Sequence, residues 1–279
     1  MIFRRMACRL GWSLLDRRAP EWVPQDVAGL SVVFSPHYDD ETLGAGGAIL
    51  RLRQLGAPVQ IVYMTDGSRS HAGAMPGAEL SALRRQEGLR AAAALGVDAG
   101  HVTFLEYPET RLVSHRDEAV RRVAELLARL ACRRVFVPST FEPDVWSPDH
   151  RATTEIVFAA LAQTGRRCEV LEYLVWFWYH WPWVPVLGTG DTRQLLKLSW
   201  QNAFGLRARH AINASVSLTA LGSRKREALE QHRTQMTRFR TDKPWPVLAD
   251  VARGEFLENF FRSREWFKAS VWKGDADAV

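Results

Sequence analysis

From Leu30 onward the chain alternates between short β-branched runs that end in turn residues and longer segments with helical periodicity. This alternation is typical of βα units, which build a parallel sheet with right-handed crossovers. The predicted strands are Leu30 to Ser35, Val59 to Met64, Val102 to Leu105 and Val135 to Val137. The predicted helices lie near Ala45 to Leu55, Glu79 to Leu95 and Asp117 to Leu130, with one more after His150. We expect an α/β fold with a Rossmann-like, doubly wound, mostly parallel sheet.

The pattern changes beyond about Glu169. A strand-like run from Val170 to Val175 is followed by an aromatic stretch and then by irregular and helical segments, without an obvious linker. The chain has 279 residues and is 47% hydrophobic, which is enough for one large core. We predict a single domain over residues 1–279, with a core at about 28–175 and a C-terminal elaboration at about 176–279.

Each predicted strand is followed by a polar cluster. The clusters are His37 to Glu41, Thr65 to Gly67, Glu106 to Glu109, and Asp144 to His150. In open α/β sheets the ligand site lies beyond the carboxyl ends of the strands, where loops and helix N-termini converge. We therefore expect these four clusters to meet at one edge of the sheet.

The first and last clusters contain residue types that bind zinc. Imidazole nitrogens and carboxylate oxygens are good zinc ligands, and a catalytic zinc has three protein ligands and one open position. His37, Asp40 and His150 could form such a set, and Asp39 would remain available to act on a water molecule. A His-x-Asp-Asp match also occurs in ordinary turns and helix caps, so the argument depends on the second cluster lying at the same edge.

Composition excludes several other classes of protein. Lysine and arginine outnumber aspartate and glutamate by 37 to 31, but the basic residues are scattered through helical stretches. We expect them on solvated faces, with no nucleic-acid partner. The three cysteines, Cys8, Cys132 and Cys168, lack metal-ligand spacing and do not indicate a disulfide framework, which fits a reducing cytoplasm.

Neither a secretory signal nor a spanning helix is predicted. Charges interrupt the apolar residues at the N-terminus. The longest apolar stretch, Tyr173 to Leu187, contains two prolines and is shorter than the ~20 residues that a spanning helix needs. We expect a cytoplasmic protein and leave open a peripheral contact with the inner membrane face or a lipid-linked substrate.

The two zinc-type segments resemble the signatures of one family. This family comprises the zinc-dependent N-deacetylases of the phosphatidylinositol-glycan, mycothiol and bacillithiol pathways. Its first signature, (Ala/Pro)-His-Pro-Asp-Asp-Glu, has the counterpart Pro36-His-Tyr-Asp-Asp-Glu41. Its second, His-Pro-Asp-His, has the counterpart Ser147-Pro-Asp-His150. The resemblance extends through Thr65 to Gly67, through Arg84 to Glu87 and Ala91 to Gly96, and faintly through Ala228 to Gln235.

The resemblance implies roles for the residues of these segments. His37, Asp40 and His150 would bind Zn²⁺, and Asp39 would be the general base. The implied reaction removes the acetyl group from an N-acetylglucosamine-type sugar in a glycoconjugate. A carboxylate in this position can take a proton from the attacking water and pass it to the leaving amine, which contributes about 10²- to 10⁴-fold in rate.

Two residues depart from the family pattern. Tyr38 replaces a proline, which removes a backbone restraint but leaves the functional side chains of the turn in place. Ser147 replaces a histidine that in the family stabilises the oxyanion. Serine can donate a hydrogen bond but cannot carry positive charge, so either another histidine such as His180 takes over or the chemistry relies on zinc and Asp39. Asp149 is expected to orient a ligand.

Four residues are candidate substrate contacts. Arg84 and Glu109 match positions that approach the substrate in the family, and Tyr38 and His180 complete the set. Arg84 could instead pair with Glu87 on a helix surface, and Glu109 could lie in an exposed turn.

The aromatic run from Trp176 to Trp183 permits three interpretations. It could pack in the core, form a wall for sugar stacking, or form a belt at a membrane interface. The functional alternatives to a sugar deacetylase are a zinc amidase or esterase acting on a non-sugar acyl group, and a catalytically silent protein that binds a sugar or a membrane surface. A nucleotide-binding loop at Gly44 to Gly47 is the weakest alternative because these glycines do not complete the dinucleotide fingerprint.

Overall fold

A computed structural model describes residues 2–143, 147–186 and 192–274 of the chain. Its strands are β1 (Ser31–Ser35), β2 (Val59–Thr65), β3 (Val102–Tyr107), β4 (Arg134–Pro138), β5 (Cys168–Tyr173), β6 (Ala214–Ser217) and β7 (Arg264–Trp272). Its helices are α1 (Ile2–Arg18), α2 (Asp40–Gln54), α3 (Gly77–Ala94), α4 (Arg116–Leu130), α5 (Asp149–Thr164), α6 (Thr192–Gln201), α7 (Leu206–Ala211), α8 (Gly222–Glu230), α9 (Arg233–Met236) and α10 (Glu255–Glu258). Asp144, which opens the fourth polar cluster, lies outside the described residues.

The seven strands form one mixed sheet in the order β3-β2-β1-β4-β5-β7-β6. The first five strands are parallel, whereas β7 runs antiparallel to both β5 and β6. Helices α4 and α5 pack on one face around Val32 and Phe34, and α2 packs on the other face around Val33. The predicted doubly wound, mostly parallel α/β fold is confirmed. The C-terminal elaboration contributes β6 and β7 to the same sheet.

Helix α2 begins at Asp40 and not near Ala45 as predicted. Asp39 has a left-handed backbone conformation with φ of 108°, so the chain turns sharply after β1 and enters the helix at once. Carboxylates in the first turn are favourable because the helix N-terminus carries partial positive charge. Three glycines in the first two turns lowered the helical signal of this segment.

Those glycines allow α2 to approach its neighbours closely. A Cβ atom at Gly44 would lie 2.2 Å from Cδ2 of Tyr173, and one at Gly47 would lie 2.3 Å from Cδ2 of Leu218. Both positions are buried in the helix interface, so the geometry leaves no phosphate-binding loop there. The nucleotide-binding alternative is therefore excluded for this segment.

A buried ion pair links α2 to the C-terminal elaboration. Nζ of Lys225 in α8 lies 2.7 Å from Oε1 of Glu265 in β7, and it also donates to the backbone carbonyl of Leu43. The Glu265 carboxylate accepts hydrogen bonds from the backbone N–H groups of Gly47 and Ala48. Residues far apart in sequence thus fix the helix that begins at the zinc-type turn.

The aromatic run divides among three surroundings. Phe177, Trp178, Tyr179, His180 and Trp183 are buried, and Trp178 and Trp183 pack on Trp12 of α1. This majority confirms the core-packing interpretation. Trp176 and Trp181 are only half-buried and face different surroundings. Within the described residues, no helix is both long enough and apolar enough to cross a membrane. All three cysteines are buried and unpaired.

Candidate active site

The three predicted zinc ligands converge at the carboxyl edge of the sheet. Oδ2 of Asp40 lies 3.1 Å from Nδ1 of His37 and 3.2 Å from Nε2 of His150. Their ligand atoms all lie within 4.8 Å of one another. Ligands bound at about 2.0 to 2.2 Å in a tetrahedral zinc site are separated by a little over 3 Å, so this donor set fits the ion. His37 and Asp40 follow β1, whereas His150 lies in the first turn of α5 after the adjacent strand β4.

Each histidine of this group faces a second carboxylate. Oδ2 of Asp149 lies 3.2 Å from Nε2 of His37, and Oε2 of Glu142 lies 3.5 Å from Nδ1 of His150. Only the Asp149 contact is a hydrogen bond, and a carboxylate that accepts the Nε2–H of His37 leaves Nδ1 of that ring as the lone-pair donor. The predicted orienting role of Asp149 agrees with this geometry.

Glu142 was not identified from the sequence. Its carboxylate is buried and accepts hydrogen bonds from the backbone N–H groups of Val175, Trp176 and Phe177. Burial raises the pKa of Glu142 to about 7, against the opposing effects of His150 and these N–H groups. The available signal was its place in the loop after β4, at the edge where the other acids gather.

The pKa values of His37 and Asp40 are strongly shifted from their ordinary values. Burial lowers the pKa of His37, but hydrogen bonds to Asp149 and Asp40 raise it well above its ordinary value. Burial raises the pKa of Asp40, yet the neighbouring His150 and His37 hold it well below its ordinary value. The pKa of His37 and the pKa of Asp40 therefore shift in opposite directions, as expected for a hydrogen-bonded acid and base.

Asp39 lies beside the ligand group and lines the same cavity. Oδ1 of Asp39 is 3.9 Å from Nη2 of Arg84, and its backbone N–H donates to Oε2 of Glu41. Burial, followed by the negative charge of Asp40, raises the pKa of Asp39 to about 7. Oε1 of Glu41 lies 2.9 Å from Nε2 of His232, and this contact helps to fix the turn that contains Asp39.

Arg84 is a buried, anchored cation at the cavity wall. Nη2 donates to the carbonyl of Tyr38 at 2.7 Å, and Nη1 donates to the carbonyl of Gly67 and lies 3.8 Å from Oε1 of Glu109. The alternative pairing with Glu87 is wrong, because the Glu87 carboxylate accepts the backbone N–H and hydroxyl of Thr234. The alternative of an exposed turn at Glu109 is also wrong, since only 7% of that residue is exposed.

These residues line a cavity of about 530 Å³, and we call its polar lining residues the polar wall and its apolar lining residues the apolar wall. The polar wall consists of His37, Asp39, Asp40, Arg69, Ser70, Arg84, Glu109, Thr110, Ser147 and Gln235. The apolar wall consists of Leu43, Trp176, Pro246, Val247, Leu248 and Val251. The sequence did not identify the 246–251 segment or Gln235 as part of the site, because the fold brings them there from the C-terminal elaboration.

Two predicted substrate contacts lie outside the cavity. The Tyr38 side chain is buried against Tyr63 and Phe104, its ring lies under the guanidinium of Arg84, and its carbonyl accepts a hydrogen bond from Arg84. The His180 ring is buried against the ring of Phe177, and this burial lowers its pKa to about 4. A direct substrate contact does not fit either position, because both side chains pack into the core.

Ser147 lies at the cavity where the family signature has a histidine. Its hydroxyl oxygen accepts the backbone N–H of Asp149 at 3.1 Å, and the hydroxyl hydrogen remains for donation. Among the cavity-lining residues that the structure describes, His37 is the one histidine. His180 therefore does not replace the missing histidine. The indole N–H of Trp176 is an alternative donor at the cavity wall, 3.2 Å from Nε2 of His150.

Comparison with known proteins places this site within a segment that matches a known family. Residues 32–161 match the sequence model of a family described as PIG-L, GlcNAc-PI de-N-acetylase. Diacetylchitobiose deacetylase from Thermococcus kodakarensis is 33% identical over 131 residues, which cover 47% of this chain and 48% of that protein. The chain therefore matches about half the length of this curated relative.

Solved structures extend the likeness to nearly the whole chain. N,N'-diacetylchitobiose deacetylase from Pyrococcus horikoshii, solved with its inhibitor MPG, aligns with a TM-score of 0.62 and 23% identity over 96% of this chain and 92% of that one. The conserved protein TT1542 from Thermus thermophilus aligns with a TM-score of 0.54 and 24% identity over 85% of this chain and 92% of that one. At these identities, the likeness establishes the fold.

Proposed function

We propose that the chain is a zinc-dependent hydrolase that removes acetyl from an N-acetylglucosamine-type sugar in a glycoconjugate, because residues 32–161 match the sequence model of the GlcNAc-PI de-N-acetylases. The observation that carries the proposal is the convergence of His37, Asp40 and His150 at a cavity that Asp39 also lines. The similarity to a diacetylchitobiose deacetylase supports the sugar substrate.

Zinc, held by His37, Asp40 and His150, would polarise the amide carbonyl and lower the pKa of a water at the site. The protein residues supply the remaining functions. Asp39 accepts a proton from the attacking water and returns it to the leaving amine. Asp149 holds the imidazole ring of His37 in the orientation that directs its Nδ1 toward Asp40, and the Glu142 carboxylate lies near Nδ1 of His150 as a neighbouring acidic group.

Negative charge that develops on the carbonyl oxygen needs donors at the cavity wall. We assign this role to the Ser147 hydroxyl and the Trp176 indole N–H. The indole now donates to Nε2 of His150, and that lone pair cannot serve a cation and the indole together. Trp176 lines the cavity, so the carbonyl oxygen of a bound substrate is an alternative acceptor for its indole N–H.

The polar wall fits the hydroxyl groups of a sugar. Glu109 can accept hydrogen bonds, and the anchored guanidinium of Arg84 can donate them. The apolar wall of Val247, Leu248 and Val251 provides a surface for an apolar aglycone. That wall also supports a second candidate, an amidase or esterase acting on a larger non-sugar acyl group, since acetyl is too small to cover it.

Amine release from N-acetylglucosamine, diacetylchitobiose and a lipid-linked N-acetylglucosamine would test the proposal. We expect the zinc-loaded protein to release amine and Asp39→Asn to be slower by about 10²- to 10⁴-fold. Asp66→Asn is the matched control, because asparagine keeps the Oδ1 acceptor that Asp66 offers to Ser68 and Glu109. Bound zinc should remain stoichiometric in both variants.

The outcomes separate the candidates. Zinc-dependent release from sugars that requires Asp39 supports the deacetylase. Release only from N-acyl amino acids or esters supports the amidase or esterase. Stoichiometric zinc without turnover of any compound would reject both enzymes and support a catalytically silent binding protein.

A further inference from the structure

Helix α1 has two apolar faces, and only one of them is packed. Cys8 and Leu15 are buried against the domain. Phe3, Met6 and Leu10, spaced three and four residues apart on a different face, are exposed by 77%, 63% and 62%. Residues at this spacing lie on one side of a helix. A solvent-exposed apolar stripe therefore runs along the outside of α1.

The stripe continues into neighbouring segments as one surface. The ring centroid of Phe3 lies 6.4 Å from that of Trp181, which lies 5.6 Å from Phe204, which in turn lies 6.3 Å from Trp200. Trp200 is 77% exposed, and Phe204 is 42% exposed. We call this surface the aromatic patch, and it consists of Phe3, Met6, Leu10, Trp181, Trp200 and Phe204. Contiguous exposed apolar surfaces of this kind mark interaction sites.

The two helices of the patch carry more basic than acidic residues. Helix α1 carries five arginines and one aspartate, and α6 carries one arginine, one lysine and no acidic residue. Their combined balance of +6 equals the formal net charge of the whole chain, +6. Arg193 and Lys197 of α6 are exposed and lie seven and three residues before Trp200, which places them on the same side of that helix.

We propose that the aromatic patch binds the surface of a lipid bilayer that contains anionic headgroups. Tryptophan and phenylalanine enter the interfacial region of a bilayer, and exposed arginine and lysine attract anionic lipids. A second copy of the chain is a poorer occupant. A two-fold contact brings identical surfaces together, so it would oppose two helix pairs of charge +6. The inference does not depend on the deacetylase proposal.

Co-sedimentation with vesicles tests this surface. We expect the full chain to bind vesicles of 70:30 phosphatidylcholine and phosphatidylglycerol, about tenfold or more above vesicles of phosphatidylcholine alone. Trp200→Ser should weaken binding by about tenfold through lost apolar contact, and the double variant Arg193→Glu/Lys197→Glu by more. Matched controls on other surfaces are Val271→Ser, 52% exposed, and the exposed Arg121→Glu, which should bind as the unaltered protein does.

Two further measurements keep the proposal falsifiable. Circular dichroism should show equal melting of patch and control variants, because all these side chains are exposed. Sedimentation velocity should show a monomer whose mass the patch variants do not change. Equal binding to both kinds of vesicle, or equal loss in patch and control variants, would overturn the proposal. A dimer that Trp200→Ser dissociates, together with no vesicle binding, would assign the patch to a second copy instead.

Discussion

The substitution Asp149→Asn should weaken zinc binding without removing a ligand. The carboxylate lies 3.2 Å from Nε2 of His37 and accepts the backbone N–H groups of Thr110 at 2.6 Å and Leu112 at 3.2 Å. Asparagine has one acceptor oxygen, so its NH₂ group must face either Leu112 N–H or the other two donors. In the better orientation, the asparagine oxygen keeps the contacts with His37 and Thr110. Its NH₂ group then faces the N–H of Leu112, so two donors oppose each other, and the negative charge beside His37 is lost.

The expected loss follows from these contacts. A hydrogen bond between charged partners contributes about 1.5 to 3 kcal/mol, which agrees with the 10- to 100-fold loss typical when the carboxylate behind a metal-binding histidine is replaced. We therefore expect the zinc Kd to rise by about 10- to 100-fold. Competition with a chromophoric chelator measures this value, and thermal melting reports the fold separately.

Glu87→Gln provides the matched control for this experiment. Glu87 is equally buried and caps the backbone of Thr234, but it contacts none of the three ligands among the described hydrogen bonds. We expect Glu87→Gln to lower the melting temperature and leave the zinc Kd unchanged. A zinc Kd of Asp149→Asn within threefold of the unaltered protein, or an equal weakening in Glu87→Gln, would refute the orienting role.

Three further predictions use other parts of the fold. Lys225→Met should lower the free energy of unfolding by about 3 to 5 kcal/mol in urea denaturation, because it leaves Glu265 buried and unpaired. The double variant Lys225→Met/Glu265→Gln should recover part of this loss. A loss under about 1 kcal/mol in the single variant would contradict the argument. The buried His180 has its pKa lowered to about 4, below the unfolded value near 6.5, so its contribution is present above pH 6.5 and is lost as pH falls. Relative to His180→Gln, the unaltered protein should lose about 2 kcal/mol more between pH 7 and pH 5, and parallel pH profiles would reject this. Trp176→Phe keeps the stacking on Phe256 but lacks the indole N–H. The kcat for amine release should therefore fall by about 10²-fold, while the zinc affinity stays the same. An unchanged kcat would exclude Trp176 from the mechanism.

The sequence by itself determined the parallel core and the place of the zinc-type group. Strand and helix periods are local properties, and the carboxyl ends of adjacent parallel strands must share one edge. The turn that holds His37 and Asp40 follows β1, and the helix that holds His150 follows the adjacent β4. Their meeting could therefore be predicted from segments about 110 residues apart in the chain.

The tertiary structure alone decided which side chains support that group and which surface remains open. Glu142 behind His150, Lys225 beneath α2 and the apolar wall at 246–251 reach their places through packing between distant segments, which leaves no periodic signal in the chain. The aromatic run was ambiguous for the same reason, because tryptophan suits a core, a cavity wall and a membrane interface equally well. Only the packing of α1 and α6 around it determines that Trp178 is buried while Trp181 joins an exposed patch.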